Sequence, residues 1–479
     1  MKILIYNWVD YFHNPTRGGG VTVYIRNLVN QLRGRHELYF ISSGESYNPF
    51  TSSVYWAEKD SDDDVRIFEI VNSEVLAPGH LAWNDPAALE SHRTHDVWVS
   101  LLREIQPDVV HFNNAEGLPI SALDIKSVLP HCRSIFSLHN YYPFCPTVKL
   151  WRGSNISCHD FAHGQACVGC QPEIERRREL LVKSLKWLYR QFKREVPPAC
   201  YRWIFSSRWL PRVLCLLLAW HHRKMAQPIL HTSSSEYFYA RRKRMVTAIN
   251  LHCDAVLAVS ARVKELAGKF GIRSDILHVT YIGTQVANNI VTPHNPDNKK
   301  PLTLIYLGYM SQEKGFYFFL DVLGSLPKQI ASQVNLVVAA RNTDSHAFDR
   351  LMLLATRFNS VKYHDGYSHS QLSQLFSVAD VSLVPVLWED NLPQVAIESI
   401  CHGVPVLCSL MGGAPELSKH NSELVFPAGD VTACCQIISK LVNDRTALID
   451  YWLDMHYPPT MEVHAKAMED YYRGLCDAR

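Results

Sequence analysis

The chain has 479 residues, too many for one hydrophobic core and suited to two domains of about 200 residues each. Its hydrophobic content of 47% is that of a globular protein, and no low-complexity tract or fixed-period repeat interrupts it. A net charge of +2 gives, for the molecule as a whole, no reason to expect nucleic acid as a partner, and no nucleic-acid reading motif is present.

The chain opens on the strand-like run Met1-Lys-Ile-Leu-Ile-Tyr, which lacks the apolar core and small-residue cleavage site of a signal peptide. Its thirteen cysteines therefore read as reduced thiols of a cytoplasmic protein. Arg17-Gly18-Gly19-Gly20-Val21 precedes a helical pattern over 22–32, and three glycines at a helix entrance let a ligand approach the backbone. Short β-branched runs at 3–6, 38–41, 109–112, 135–138 and 255–259 alternate with helical patterns. A second set follows at 302–307, 334–339, 361–364, 381–385 and 404–408. Apolar strands separated by helices predict parallel sheets covered on both faces, and two sets in series predict two doubly wound α/β domains. The polar segment 294–300 reads as their boundary.

His111 and His139 lie on or at the end of strands in the first set, where a lone histidine is usually a satisfied core residue. Cys145, Cys158, Cys167 and Cys170 follow, with the arithmetic of a tetrahedral structural zinc site. His159 or His163 can replace one ligand, and free thiols or disulfides are the alternatives. Residues 171–250 carry seventeen Lys and Arg against five Asp and Glu, interleaved with aromatic side chains such as Trp187, Tyr189 and Trp203. That composition suits docking on an anionic membrane surface, and the alternative is an amphipathic insertion packed on the domain. The most apolar stretch, 203–220, is broken by Arg208, Pro211 and Arg212 and makes a poor spanning helix.

In the second set, Gly308-Tyr309-Met-Ser-Gln-Glu-Lys314-Gly315 follows a strand and opens a helix, which places a lysine and a helix N-terminus where a phosphate can sit. After the strand at 381–385 comes Trp388-Glu-Asp390-Asn-Leu392-Pro393-Gln-Val-Ala-Ile-Glu398, with Asp390 in the loop and Glu398 inside the next helix. A carboxylate at Glu398 can accept both hydroxyls of a ribose. Gly403-Val-Pro and Met411-Gly412-Gly413-Ala-Pro-Glu416 complete the series.

These ordered motifs resemble the retaining family 4 glycosyltransferases, of the kind that build bacterial polysaccharides and cell envelopes. The resemblance implies the GT-B fold, two Rossmann-like domains facing a cleft. It divides the chain into an acceptor-side domain at 1–293, a nucleotide-sugar domain at 301–455, and a helix at 456–479 returning to the first. It further implies that Lys314, Asp390 and His139 act on the donor, with Gly18, Gly19, Gly20, Gly308, Tyr309, Leu392, Pro393 and Glu398 around it. No catalytic metal is implied. Two positions depart from the family pattern: Tyr309 stands for an arginine that helps hold the diphosphate, and Asp390 stands for a glutamate. Arg341 is the candidate substitute cation, and Glu389 the candidate for extending the short acid. The expected partners are a nucleotide-sugar donor, a glycan or lipid-linked acceptor and the inner face of a membrane. The competing expectation is a non-catalytic relative serving as a binding subunit.

Overall fold

The structure is a computed structural model. It describes residues 1–479 apart from 15–16, 84, 86, 153–155, 171–175, 196–233, 294, 419–420, 422, 454, 456 and 478–479. The stretch at 203–220 and much of the basic segment therefore lie outside the described residues.

The first sheet has eight strands: β1 (Lys2–Tyr6), β2 (Glu37–Ser46), β3 (Tyr55–Glu58), β4 (Arg66–Val71), β5 (Val109–Phe112), β6 (Arg133–Leu138), β9 (Ala255–Ala258) and β10 (Leu277–Val279). They run in the order β10-β9-β6-β5-β1-β2-β4-β3, parallel except for β3. A two-stranded ribbon, β7 (Trp151–Arg152) and β8 (Ile156–Ser157), stands apart. The second sheet has β11 (Leu302–Tyr309), β12 (Val334–Arg341), β13 (Ser360–His364), β14 (Val381–Val384), β15 (Val406–Ser409) and β16 (Val425–Phe426) in the order β13-β12-β11-β14-β15-β16, all parallel. Each sheet reverses direction beside its first strand, between β1 and β5 and between β11 and β14. A doubly wound sheet opens a crevice there, at the carboxyl ends of its strands. The central strands earn their place by composition: Ile3, Leu4, Ile5 and Tyr6 are fully buried, as a parallel strand covered on both faces must be.

Helix α1 (Gly19–Leu32) starts inside the glycine run rather than after it. Helix α2 (Ala261–Lys269) follows β9 and begins at Ser260, whose hydroxyl accepts from Val263 N–H. The last helix, Met461–Asp477, lies against the first sheet: Tyr472 O–H meets His111 Nδ1 at 2.7 Å, Tyr24 O–H meets His464 Nε2 at 2.9 Å, and Arg35 pairs with Glu469 at 2.8 Å. His111 is thus a core residue, wholly buried and also bonded to Ser137 Oγ at 2.7 Å.

Helices Arg176–Glu195 and Ser235–His252 flank the undescribed part of the basic segment. Their charge does not all face water. Arg241 is fully buried between the rings of Trp83 and Tyr142, 4.2 and 4.9 Å from their centroids. Arg242 is also buried, donating to Phe144 O at 2.7 Å over the Phe161 ring. Part of the basic excess is therefore packing that the sequence presents as surface. Among the described residues no helix is long and apolar enough to cross a membrane.

Candidate functional site

The carboxyl ends of the two sheets face each other, and side chains cross between them. Asn391, in the loop after β14, donates to Leu138 O at the end of β6 (3.3 Å). Glu416 accepts from the first two N–H groups of α2, Ala261 at 2.9 Å and Arg262 at 2.8 Å, and from Tyr281 O–H at 2.7 Å. A carboxylate at a helix N-terminus meets unpaired donors and the positive dipole end, so the two halves are joined by complementary charge.

On the second side, Lys314 Nζ lies 2.6 Å from Asp390 Oδ2 and 5.2 Å from the centre of the Trp388 ring. Gly315 holds the lysine there. Its φ is +77°, and a side-chain carbon at this position would fall 1.8 Å from Pro385 O. Gly412 does the same for the acid: at φ +64° its absent side chain would fall 2.1 Å from Asp390 O. The two glycine motifs thus shape one loop, which sequence spacing alone does not reveal.

Glu398 sits on the helix Gln394–Cys401, 4% exposed, with Leu392 and Pro393 at the helix entrance. Its Oε2 has no hydrogen-bond partner, and the His369 ring places Nδ1 3.6 Å from Oε1. Burial pushes its carboxyl up to about 7. Half-buried Tyr367 lies in the electrostatic reach of both Glu398 and Tyr309. Tyr309 itself is 66% exposed at the end of β11, beyond Gly308, and its register partner on β12 is Arg341, which is also exposed. The substitute cation suggested by the sequence therefore stands beside the tyrosine it would relieve.

Glu389 does not extend the reach of Asp390. It is fully buried and turned to the first domain, where Arg262 Nε and Nη2 donate to it at 3.0 and 2.6 Å and His159 Nε2 lies 2.5 Å away. Burial raises its carboxyl, but Arg262 and His159 outweigh that and hold it below the usual range. Neither Arg262 nor the cross-cleft role of His159 was legible beforehand. The only signal is position: Arg262 opens the helix that follows the 255–259 run, and His159 lies among the cysteines.

On the first side, Gly20 faces Gln394 of the second domain, 3.6 Å from where a side-chain carbon would be. His139, just past β6, is bonded to Asn113 Oδ1 at 3.1 Å, with the Tyr24 ring 4.8 Å from its own. Burial, then His464, lowers it to about 3, so it is neutral near pH 7.

The four cysteines of the expected zinc site influence one another but are each engaged elsewhere. Cys167 accepts from Arg242 Nη2 at 3.1 Å, and Cys145 lies 3.2 Å from Thr147 Oγ1. Cys158 and Cys170 face the carbonyls of Asp160 and Trp151 at 3.5 and 3.9 Å. Burial and then the neighbouring thiols raise Cys158 to about 11 and Cys170 to about 12. Among the described residues no three His, Cys, Asp or Glu converge to cage a metal. The thiols are free rather than bridged.

Two Rossmann-like sheets with facing carboxyl ends, a glycine loop on one side and a lysine–carboxylate pair with a buried glutamate on the other, are the architecture of a GT-B glycosyltransferase. Comparison with known proteins agrees with it. Residues 18–161 match the family model Glycosyltransferase Family 4, and residues 290–451 match Glycosyl transferases group 1. An uncharacterized 42.6 kDa protein in the cps region of Klebsiella pneumoniae is 19% identical over 435 residues, 89% of this chain and 90% of that one. The sulfoquinovosyl transferase SQD2 of Arabidopsis thaliana is 26% identical over 155 residues, 32% of this chain and 28% of that one. Among solved structures, sucrose-phosphate synthase from Thermosynechococcus elongatus superposes with a TM-score of 0.56 at 14% identity, covering all of both chains. Anabaena HepE in complex with UDP and glucose gives 0.53 at 14% identity over 99% of this chain and 100% of that one. At such identity the likeness is one of fold. The chain is a glycosyltransferase of the GT-B class.

Proposed function

We propose that the chain transfers a glycosyl group from a nucleoside-diphosphate sugar to a hydroxyl of a glycan or lipid-linked acceptor, with retention at the anomeric carbon. The observation that carries the donor reading is Glu398, a buried carboxylate with an unpartnered oxygen one helix from the Lys314–Asp390 pair. Its two oxygens suit the two hydroxyls of a ribose, and Lys314, the Gln394 helix entrance and Arg341 suit a diphosphate. The UDP held by HepE supports a nucleoside diphosphate as the ligand class. Catalysis then rests on orienting the donor between Gly18–Gly20 and the second domain and on stabilising the departing diphosphate. Neutral His139 contributes a hydrogen bond to the donor sugar rather than a proton. Work beside a membrane's inner face belongs to the same proposal, since a lipid-linked acceptor is presented there.

A thermal-shift series with nucleotides and nucleotide sugars tests it, because a ligand of the folded state raises the melting temperature. The expected result is a rise with one nucleoside diphosphate that is lost in Glu398→Ala. No rise with any of them would sink the donor reading. Binding without nucleotide release in the presence of membrane extract would favour a non-catalytic relative, the reading that Tyr309 motivates.

A further inference from the structure

Beside the glycine loop, the helix Arg176–Glu195 carries charge that the donor chemistry does not use. Its Lys183 is 2% exposed, donating to Ala77 O at 2.6 Å and paired with Glu45 of β2. Glu45 also pairs with Arg17, which directly precedes Gly18 and lies over the Trp8 ring, 5.4 Å from its centroid. Lys186 and Arg190, on the same helix, lie close enough to Arg17 and Lys183 to repel them. Among the described residues, the carboxylates facing this group from these elements are Glu45 and Glu179, so four described cations converge on two acids, one of which is already shared between two of the cations. His80, reached by Glu179, Lys149 and Lys183, borders the group, and Lys149 is paired with Glu313 of the second domain.

A solvated basic helix face would leave its lysines in water. Here the helix buries one lysine and brings two further cations to an arginine on a different element. Desolvation, then like charge from Arg17, holds Lys183 down to about 7. Glu45 answers Lys183 and part of the charge on Arg17, and an anion held among Arg17, Lys186 and Arg190 would answer the rest. The position is informative as well. Arg17, Glu45 and Ala77 lie at the carboxyl ends of β1, β2 and β4, on the cleft side. Gly20, which faces Gln394 across the cleft, is three residues from Arg17, a span of at most about 10 Å. That is the reach of a sugar unit with its phosphate.

We propose that Arg17, Lys183, Lys186 and Arg190 form an acceptor subsite for a phosphate or diphosphate group, so that the acceptor is a phosphorylated or diphosphate-linked glycan rather than a neutral one. This rests on the transferase reading above. Arg17 and Lys183 fix the inner wall, and Lys186 and Arg190 close on the anion from the outside.

Isothermal titration of the full chain tests it with two probes, inorganic pyrophosphate and farnesyl diphosphate, in a Lys314→Ala, Arg341→Ala background that removes both proposed donor-side cations. Both probes are expected to bind. The further double change Lys186→Ala and Arg190→Ala, on exposed and half-exposed side chains, should weaken both at least tenfold. Lys186→Arg with Arg190→Lys should retain binding, which separates lost charge from a disturbed helix. Sedimentation with phosphatidylglycerol vesicles distinguishes the other source of phosphate. A loss seen only with vesicles means headgroup docking and overturns the subsite. Pyrophosphate binding abolished by the Lys314→Ala, Arg341→Ala background alone, or unchanged by the further double change, overturns it too. The melting shift with nucleoside diphosphate, measured on the unaltered chain, reports separately on the donor reading.

Discussion

Replacing Glu398 by glutamine should stabilise the unliganded protein at alkaline pH while removing its hold on the donor. In the structure this carboxylate is 4% exposed, one oxygen is unpartnered, and burial raises it from 4.5 to about 7. At about 1.4 kcal/mol per pH unit, ionised Glu398 costs the fold up to about 3 kcal/mol. The sign follows from proton counting. Between 4.5 and about 7 the folded chain keeps a proton that the unfolded chain has released, so stability falls as pH rises through this window and levels off above it. Glutamine has the same shape and no charge. Urea unfolding at pH 8 should therefore show Glu398→Gln more stable by roughly 2–3 kcal/mol, shrinking below about 1 kcal/mol at pH 5. In the same protein the nucleoside-diphosphate melting shift should disappear. A variant less stable than the parent at pH 8, or a difference that ignores pH, would refute the idea that this carboxylate is held buried and uncompensated.

Lys314→Ala removes the cation 2.6 Å from Asp390 and should lower turnover by about two orders of magnitude, read from nucleotide release. Gly412→Ala places a carbon 2.1 Å from Asp390 O at φ +64° and should weaken donor binding and cost more than about 2 kcal/mol by urea unfolding. Gly429→Ala, at φ +81° with open space around it, should cost about 1 kcal/mol and leave donor binding alone. Arg262→Ala deprives the buried Glu389 of its guanidinium, and small-angle scattering should show a more open molecule. Because Glu389 is held low by Arg262, the stability it contributes is present above the ordinary carboxylate range and lost as pH falls through its folded value. Arg262→Ala should flatten that acid-side loss in urea titrations. Elemental analysis of the purified chain should find far less than one zinc per chain, since the thiols bond elsewhere. A stoichiometric zinc would mean that the loop rearranges around a metal.

The sheet cores were legible in the sequence because buried parallel strands leave long apolar runs; β1 and β11 are the plainest. The edge strands β3, β10 and β16 were not, because strands of two to four residues carry no period to read, and neither was the buried β4, whose apolar run is interrupted by Glu69. Lys314, Asp390 and Glu398 were legible because glycine turns and helix starts punctuate them. The partners of Glu389 were not, since Arg262 and His159 are 127 and 230 residues away in the chain. Only folding brings them to the acid. Arg241 and Arg242 show the opposite failure: a run of four basic residues reads as surface, yet aromatic rings take two of them into the interior.

The adjacent acids Glu389 and Asp390 divide two tasks that one longer side chain could not combine. Glu389 meets Arg262, His159 and Gly412 N–H, so its position depends on both domains and on the cysteine-rich loop at once. Asp390 is fixed through its backbone, whose carbonyl accepts from Gly413 N–H at 2.8 Å, while its short side chain meets Lys314. A motion that separates the domains must break the Arg262 and His159 contacts of Glu389, whereas its Gly412 contact and the Asp390–Lys314 pair lie within the second domain. The short side chain of Asp390 is therefore free to meet Lys314 at 2.6 Å while its neighbour Glu389 spans the cleft.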